Sequence, residues 1–317
     1  MRQKAIMLAP DVADLYYNLA NAVHETSNPE LAIAVYRKAI ELSPAHANAS
    51  HRVGLLLHAA GREEEAIEVV RQWTVAKPEN PVAAHLLASM TGENVPQRAS
   101  DDAVREMFNS FARSFDQVLT EQLNYRAPAL IGDALAAILP AVGALDVLDA
   151  GCGTGLCAPY FRPFARSLVG IDLSPEMLFR ARDRGGYDVL REAEITEFLR
   201  DHPDSFDLIG SADTLVYFGD LSDVLGAAAT ALRPGGYFVA TFERLDGNSS
   251  SNPDGTIGWR IGHHGRYLHQ ESYLRQVLRD AGFEVIAARH EIPRTESGKD
   301  VEGILVTARA TRRMADQ

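Results

Sequence analysis

The stretch that decides the fold is Val147-Leu148-Asp149-Ala150-Gly151-Cys152-Gly153-Thr154-Gly155-Leu156. Its short apolar run predicts a strand that ends in a carboxylate. Glycine then stands at every second position, and backbone N–H groups can approach a ligand closely there because glycine has no Cβ. A second apolar run ends at Asp172 about twenty residues further on, the spacing at which a carboxylate binds ribose hydroxyls.

The glycine spacing separates two classes of nucleotide-like ligand. A dinucleotide loop has the pattern G-x-G-x-x-G, whereas this chain has G-x-G-x-G, with Leu156 where the last glycine is expected. Asp149 lies two residues before the first glycine, where its charge repels a pyrophosphate and attracts a cation. The pattern therefore favours S-adenosylmethionine, which carries a sulfonium and an α-amine and no phosphate.

Residues from about 145 to 245 resemble a class I S-adenosylmethionine-dependent methyltransferase. Leu148–Gly155 is similar to the first motif of that family, Gly170–Leu178 to the second, and Leu232–Gly236 to the turn before the fifth strand. Strands and helices alternate from Ala144 onward, which is typical of a parallel sheet. We therefore expect an α/β, Rossmann-like, seven-stranded methyltransferase fold over residues 141–317. The predicted strands lie near 145–150, 167–171, 187–190, 206–211, 236–242, 283–291 and 301–309, and the resemblance implies that the last one is antiparallel.

The preceding part of the chain predicts helices. The sequence repeats with a period of about 34 residues, so that Ala32 recurs as Ala66 and Pro44 as Pro78, as in a tetratricopeptide repeat. We expect residues 1–95 to form an all-α repeat domain, with a generic alanine-rich bundle as the alternative. Trp73 stands where such repeats usually have a small alanine. Residues 96–140 resemble the helical segment that forms a lid over the cofactor in bacterial methyltransferases with these repeats.

The candidate cofactor residues lie at the carboxyl ends of the predicted strands, where an open α/β sheet binds ligands. We expect Asp149 to bind the methionine part by charge, and Asp172 to bind the ribose. By resemblance, the acid that faces the adenine amine is Glu194, which we prefer to Glu192. The remaining candidates are Gly151, Gly153 and Gly155 under the methionine part, Leu173, Met177 and Ile195 near the adenine, Ser211 after the fourth strand, and Tyr125 from the lid.

The acceptor pocket is expected to come from the loop after the fourth strand, the lid, and the insert 244–269. The loop contributes Asp213 and Tyr217, the latter as a tentative catalytic residue. The insert ends in a run of histidine, arginine and tyrosine whose members are candidates for proton transfer (His263, His264 and His269) and for acceptor binding (Arg266 and Tyr267, with His269). His269 is alternatively the start of the next helix. No two-plus-one ligand spacing supports a metal at this cluster, so we expect none.

The amino-acid composition indicates which kinds of partner and which cell compartment to expect. A formal net charge of −12 argues against nucleic-acid binding, which requires an excess of lysine and arginine. With Cys152 and Cys157 as its only cysteines and no long apolar run, the chain is expected in the cytoplasm and away from membranes. We expect methyl transfer to a small molecule or a carrier-bound acid or hydroxyl, with repeats that bind a protein or a second copy. The alternative is a scaffold that binds the cofactor without turnover.

Overall fold

The computed structural model describes residues 9–25, 28–246, 258–296 and 298–311. The chain divides into two compact units. The first ends at Pro96 and also takes in Ile261–Arg266, while the second takes in Gln97–Arg260 and resumes at Tyr267. In the described ranges, no helix combines the length and the apolar character needed to span a bilayer.

In its described residues, the first unit has five helices. They are α1 (Ala13–Glu25), α2 (Pro29–Leu42), α3 (Ala47–Ala59), α4 (Glu63–Ala76) and α5 (Pro81–Thr91). Two of them begin with proline at their first position behind an asparagine cap. Asn28 Oδ1 accepts a hydrogen bond from the Leu31 N–H at 3.1 Å, and Asn80 Oδ1 from that of Ala83 at 2.8 Å. Proline has no N–H to leave unpaired there, so each cap starts a helix efficiently.

Small residues bring these helices close together. Ala32, Ala39, Ala49 and Ala66 are fully buried in one apolar cluster. Trp73, placed where alanine is usual, is also buried, and it packs with Val70, Ala83 and Leu86 in a cluster of its own. The large indole is thus accommodated by a separate cluster at the fourth helix.

The second unit is organised around one mixed sheet. Its strands are β1 (Leu145–Ala150), β2 (Ala165–Asp172), β3 (Val189–Glu192), β4 (Phe206–Ser211), β5 (Leu232–Arg244), β6 (Trp259–Ile261), β7 (Tyr267–His269), β8 (Phe283–Glu296) and β9 (Lys299–Ala310). The strands β3, β2, β1, β4 and β5 are neighbours in that order and parallel. Strand β9 is antiparallel to both β5 and β8, as the resemblance implied.

Helices cover this sheet on both faces. They are α6 (Asp101–Phe111), α7 (Phe115–Gln117), α8 (Ala127–Ala136), α9 (Ala158–Phe161), α10 (Pro175–Arg184), α11 (Ile195–Arg200), α12 (Ser222–Ala231) and α13 (Glu271–Asp280), with a π-helical turn at Val118–Gln122 and a 3-10 turn at Leu215–Tyr217. Neighbouring residues of β1 enter different apolar clusters, Val147 one and Leu148 the other. Since side chains alternate across a strand, β1 is buried on both faces, as parallel strands are.

Two details differ from the sequence expectation. Strand β5 begins at Leu232, four residues before the predicted start, with Gly235 at φ +83° inside it. The insert after β5 contains two further strands, and β7 pairs in parallel with the end of β5. Strands of three residues are too short to show the period of two on which strand prediction depends. Part of this insert, residues 247–257, lies outside the described ranges.

Candidate cofactor and acceptor site

The loop after β1 adopts a conformation that requires glycine. Gly151, Gly153 and Gly155 have φ values of +79°, +52° and +87°, which side chains rarely adopt. A Cβ at Gly151 would lie 2.2 Å from Cγ2 of Thr214. The loop is held to β2 by the N–H groups of Gly151 and Cys152, which both donate to the Ile171 carbonyl, at 2.9 and 2.8 Å. The loop is thus a rigid backbone surface at the carboxyl end of β1.

Asp149 lies at the base of this loop with its side chain 0% exposed. Its Oδ2 accepts a hydrogen bond from the Tyr187 hydroxyl at 2.6 Å. Within the described part of the chain, its buried Oδ1 has no hydrogen-bond partner. Burial raises the pKa of Asp149 to about 7, against the lowering effect of the Tyr187 hydrogen bond. Since a buried carboxylate is costly without a partner, this oxygen fits a cationic ligand such as the α-amine of S-adenosylmethionine.

Asp172 ends β2 beside the same loop. Its Oδ2 accepts from the Gly153 N–H at 2.9 Å, and its Oδ1 from the Ser174 N–H at 2.8 Å. Burial raises the pKa of Asp172 to about 6, although hydrogen bonds from backbone N–H groups oppose the shift. Each carboxylate oxygen can accept a further hydrogen bond, so the geometry suits ribose hydroxyls.

The short helix α7 is attached to the glycine loop through Asp116. Thr154 Oγ1 donates to Asp116 Oδ1 at 2.5 Å, and the Arg184 guanidinium donates to Asp116 Oδ2. Arg184 Nε also donates to the Thr154 carbonyl at 2.8 Å. We call these three residues the Asp116 cluster. Asp116 is part of the lid run that the sequence singled out, but nothing in that run predicts its partners, which come from other elements.

The segment that follows α7, residues 118–126, is hydrogen-bonded to β8. The Arg126 N–H donates to the Pro293 carbonyl, and the Thr295 N–H donates to the Leu123 carbonyl, both at 2.7 Å. Tyr125 lies between these two bonds. Burial raises the pKa of the Tyr125 phenol well above its usual value, and the Asp213 carboxylate acts in the same direction. Residues 115–126 of the predicted lid therefore connect the glycine loop to β8.

The residues predicted to bind the adenine, together with Ser211, are hydrogen-bonded or packed within the fold. Glu194 caps α11, with Oε2 accepting from the Glu197 N–H at 2.8 Å and Oε1 from the Thr196 hydroxyl at 3.0 Å. Leu173 is partly buried, whereas Met177 and Ile195 are buried. Ser211 is buried too, and its hydroxyl donates to the Ala150 carbonyl at 2.9 Å, which joins β4 to β1. Glu194 is thus engaged in the fold itself.

The loop after β4 places Asp213 beside a buried arginine. Asp213 has φ +51°, and its Oδ1 accepts from the Thr241 hydroxyl at 3.0 Å. Arg294 Nη1 donates to Asp213 Oδ2 at 2.5 Å, Arg294 Nη2 donates to Glu243, and Arg294 Nε donates to Glu296 Oε1 at 2.7 Å. We call Arg294, Asp213, Glu243 and Glu296 the Arg294 cluster. Arg294 was missed because it lies 81 residues from Asp213 in the chain.

Tyr217, the tentative catalytic residue, packs into the wall of the second unit. It is buried, and its ring meets that of Phe108 edge-on with centroids 5.5 Å apart. Its carbonyl accepts from the Ala99 N–H at 2.8 Å. The ring and backbone of Tyr217 thus connect α6 and the segment before it to the loop after β4.

The histidine-rich run does not form one cluster. His263, His264 and Arg266 belong to the first unit. There the His263 ring stacks on His58 with centroids 3.9 Å apart, and His85 Nε2 lies 2.7 Å from the Gly265 carbonyl oxygen. These contacts assign the two histidines and Arg266 to the first unit, while their proposed roles in proton transfer and acceptor binding stay predictions. The proposal below does not depend on them.

Tyr267 and His269 are packing residues of the second unit. The Tyr267 side chain is buried edge-on against Trp259, with centroids 5.4 Å apart. His269 is buried at the end of β7, and its Nε2 lies 3.1 Å from the Gly219 carbonyl oxygen. Burial lowers the pKa of His269 to about 4, so its imidazole is neutral near pH 7. Neither residue enters the proposal as an acceptor ligand.

Two family models match this chain. A model described as a methyltransferase domain matches residues 119–288, which is more than half of the 317 residues. A tetratricopeptide repeat model matches residues 3–47 and 17–81. The chain therefore belongs to the methyltransferase domain family and carries N-terminal tetratricopeptide repeats. The predicted Rossmann-like fold, the predicted repeats and the prediction of S-adenosylmethionine as cofactor are confirmed.

Curated relatives are methyltransferases with different acceptors in their names. Malonyl-[acyl-carrier protein] O-methyltransferase of Pectobacterium atrosepticum is 34% identical over 134 residues, which cover 38% of this chain and 53% of the relative. Phosphoethanolamine N-methyltransferase 3 of Arabidopsis thaliana is 34% identical over 146 residues, which cover 45% of this chain and 29% of the relative. The chain thus spans about half the length of the malonyl-carrier relatives it matches.

Solved structures show the same fold at low identity. The magnesium protoporphyrin IX methyltransferase of Synechocystis PCC 6803, with bound S-adenosylhomocysteine, has a TM-score of 0.51 at 17% identity, covering 67% of this chain and 100% of that one. The [4+2]-cyclase SpnF has a TM-score of 0.53 at 19% identity, covering 67% of this chain and 97% of that one. Since a cyclase has this fold too, the fold alone does not determine the reaction.

Proposed function

We propose that this protein is an S-adenosylmethionine-dependent methyltransferase whose acceptor is a small molecule or an acid or hydroxyl group on a carrier. The observation that carries the proposal is Asp149. Its buried oxygen has no partner in the described residues, and it lies at the base of a loop that brings backbone close to a ligand. A cationic, phosphate-free cofactor satisfies that oxygen, whereas a pyrophosphate is repelled by it.

The residues of the site have separate tasks in this proposal. When bound, S-adenosylmethionine supplies a methyl group activated by its sulfonium. Asp149 binds the α-amine and Asp172 the ribose, while the lid, through the Asp116 cluster, covers the glycine loop and excludes water. Holding two reactants in the right geometry supplies much of the rate enhancement in such a displacement, so no protein nucleophile is required.

We further propose that the helical unit binds the partner that brings the acceptor, or a second copy of this chain. Tetratricopeptide repeats, which match residues of this unit, provide a surface suited to protein binding. The name of the Pectobacterium relative includes a carrier protein, which supports a carrier-bound acceptor. The reduced, disulfide-free state expected for Cys152 and Cys157 supports a cytoplasmic location.

Calorimetry and mass spectrometry test the proposal together. We expect S-adenosylhomocysteine to bind the protein, and Asp172→Ala to weaken that binding by roughly 1–3 kcal/mol because a hydrogen bond to a charged group is lost. Asp223→Asn, which breaks an exposed ion pair with Arg200, serves as control and should leave binding unchanged. Incubation of the protein with S-adenosylmethionine and a cell lysate should yield S-adenosylhomocysteine and a methylated product. Cofactor binding without any methylated product would instead support the scaffold alternative.

A further inference from the structure

The Asp149 carboxylate is held from outside its own strand by Tyr187, a residue that precedes β3. The Tyr187 hydroxyl donates to Asp149 Oδ2 at 2.6 Å, while Oδ1 of the same carboxylate has no hydrogen-bond partner among the described residues. One oxygen is therefore fixed by the fold, and the other is left for a ligand. Because a carboxylate that is bonded at one oxygen does not rotate freely, Tyr187 determines where Oδ1 points.

Two glycines leave the space that the Tyr187 ring occupies. A Cβ at Gly170 would lie 2.8 Å from Cε1 of the ring, and a Cβ at Gly155 would lie 3.1 Å from Cε2. Gly170 is the register partner of Asp149 in the parallel pair of β1 and β2, so a side chain there would project from the same face of the sheet as Asp149. The ring takes the place of that missing side chain and brings its hydroxyl to the carboxylate.

The backbone next to Tyr187 is fixed to β2. The Asp188 N–H donates to the Leu168 carbonyl at 2.9 Å, and the Leu168 N–H donates back to Asp188 Oδ2 at 2.8 Å. Arg162 also donates to Asp188 Oδ2, at 2.7 Å. The Tyr187 ring itself packs against an apolar cluster of the second unit. A rigid support thus presents the phenol to Asp149, which is what a side chain that positions another group requires.

We propose that Tyr187 is a positioning residue of the cofactor site, whose hydroxyl aims Asp149 Oδ1 at the α-amine of the cofactor and keeps the carboxylate ionised. The inference rests on the function proposed above and adds a residue that lies outside both cofactor motifs. A phenol donates a stronger hydrogen bond to a carboxylate than to a carboxylic acid, so it favours the charged form that binds an ammonium. Tyr187 acts through Asp149 and needs no contact of its own with the ligand.

The titratable groups around Asp149 fix the direction of the expected pH effect. Burial raises the pKa of Asp149 to about 7, the Tyr187 hydrogen bond opposes that rise, and the Asp172 charge adds to it. Burial and the Asp149 charge raise the pKa of the Tyr187 phenol, so it stays a donor. Three further buried groups interact with Asp149 and have raised pKa values, namely Cys152, Cys157 and Tyr125. Removing the Tyr187 hydroxyl should therefore raise the pKa of Asp149 further and move its ionisation to higher pH.

Two ligands that differ in the amine test the inference by calorimetry. S-adenosylhomocysteine carries the α-amine, whereas 5′-methylthioadenosine is a thioether nucleoside without the amino-acid part. Near pH 7, Tyr187→Phe should bind S-adenosylhomocysteine about tenfold more weakly, because a hydrogen bond to a charged group is lost, and 5′-methylthioadenosine within about twofold of wild type. The pH at which affinity for S-adenosylhomocysteine rises should move from about 7 to about 8. The matched control Tyr160→Phe removes an exposed hydroxyl on α9 and should change neither affinity.

The outcomes separate this inference from the proposed function. Equal weakening of both ligands in Tyr187→Phe would mean that the ring only supports the fold of the loop, and an unchanged affinity and pH profile would mean that it does not act on Asp149. Either result overturns the inference and leaves cofactor binding intact. Failure of S-adenosylhomocysteine to bind wild-type protein overturns the proposed function as well.

A second variant keeps the inference testable if circular dichroism shows Tyr187→Phe to be unfolded. Gly170→Ala retains the Tyr187 hydroxyl but places a Cβ against the ring, which displaces the hydroxyl from Asp149. We expect this variant also to lose affinity for S-adenosylhomocysteine and to keep its affinity for 5′-methylthioadenosine. An equal loss for both ligands would again overturn the inference.

Discussion

The cofactor side, formed by Asp149, Asp172 and the glycine loop, and the Arg294 cluster are built in opposite ways. On the cofactor side, Asp149 and Asp172 lie at the carboxyl ends of neighbouring strands, and the Gly151–Gly155 loop lies between them in the chain. In the Arg294 cluster, Arg294 reaches Asp213 across 81 residues and Glu243 across 51. Short loops thus build the first, and sheet topology builds the second.

The two regions also differ in how their charges are satisfied. Asp149 keeps one buried oxygen without a partner among the described residues, which costs folding free energy until a ligand supplies one. Arg294 has a carboxylate for each of its nitrogens. The comparison teaches that Asp149 has an oxygen to offer an incoming cation, whereas the charges of the Arg294 cluster are already paired within the fold.

The largest effect is expected from Asp149→Asn, which removes the charge on the cofactor side. Binding of S-adenosylhomocysteine should weaken about 100-fold near pH 7.5, because a hydrogen bond to a charged group contributes roughly 1.5–3 kcal/mol. In wild type, the ionised carboxylate binds the amine, so affinity should rise as pH increases through the Asp149 pKa of about 7. Calorimetry between about pH 5.5 and 7.5 measures both effects.

The dependence of cofactor affinity on pH distinguishes the contribution of Asp149 from that of Asp172. In Asp149→Asn the rise should shrink to the part that Asp172 supplies, whose pKa is about 6. An unchanged profile in the variant would mean that Asp149 does not bind the amine, and the contrast between the two regions would then be lost.

An intermediate effect is expected from Asp116→Asn in the lid. The variant keeps the shape of the side chain but weakens its bonds to Thr154 and Arg184. The dissociation rate of S-adenosylhomocysteine should rise about tenfold by stopped-flow displacement, since a charge-assisted bond contributes roughly 1.5–3 kcal/mol. The same rate in Asp116→Asn and in the control Asp223→Asn would show that the lid is held by other contacts.

The smallest effect on the cofactor is expected from Glu194→Ala. Because Glu194 caps α11, its loss should lower the free energy of unfolding by about 1 kcal/mol in urea denaturation. Cofactor affinity by calorimetry should change less than about threefold, because one further hydrogen bond to a carboxylate that already accepts two contributes roughly 0.5 kcal/mol. The matched control is Glu192→Ala at the exposed end of β3. A tenfold loss of affinity with unchanged stability would show that Glu194 serves mainly as the predicted adenine contact and not as the cap of α11.

The cofactor side shows how much local patterns can predict. The apolar run that ends at Asp149, the alternating glycines and the second run that ends at Asp172 predict strand, loop and strand from neighbouring residues. The hydroxyl of Tyr187 on Asp149 was not predicted, because a tyrosine before a short strand has no distinguishing pattern. The histidine run was assigned from residue type and from its place in the insert after the fifth strand, and neither shows that the run crosses between compact units.

The sequence by itself determined the family, the alternating strands and helices, the repeats and the acids beside the glycine loop, because each depends on residues close together in the chain. Only the tertiary structure decided which groups surround Asp213, which groups Asp116 bonds, and that Glu194 caps a helix. The physical reason is that a side chain's charge acts through space. Its partners are set by strand order and register, and these bring Arg294 to Asp213 with no trace in the local pattern.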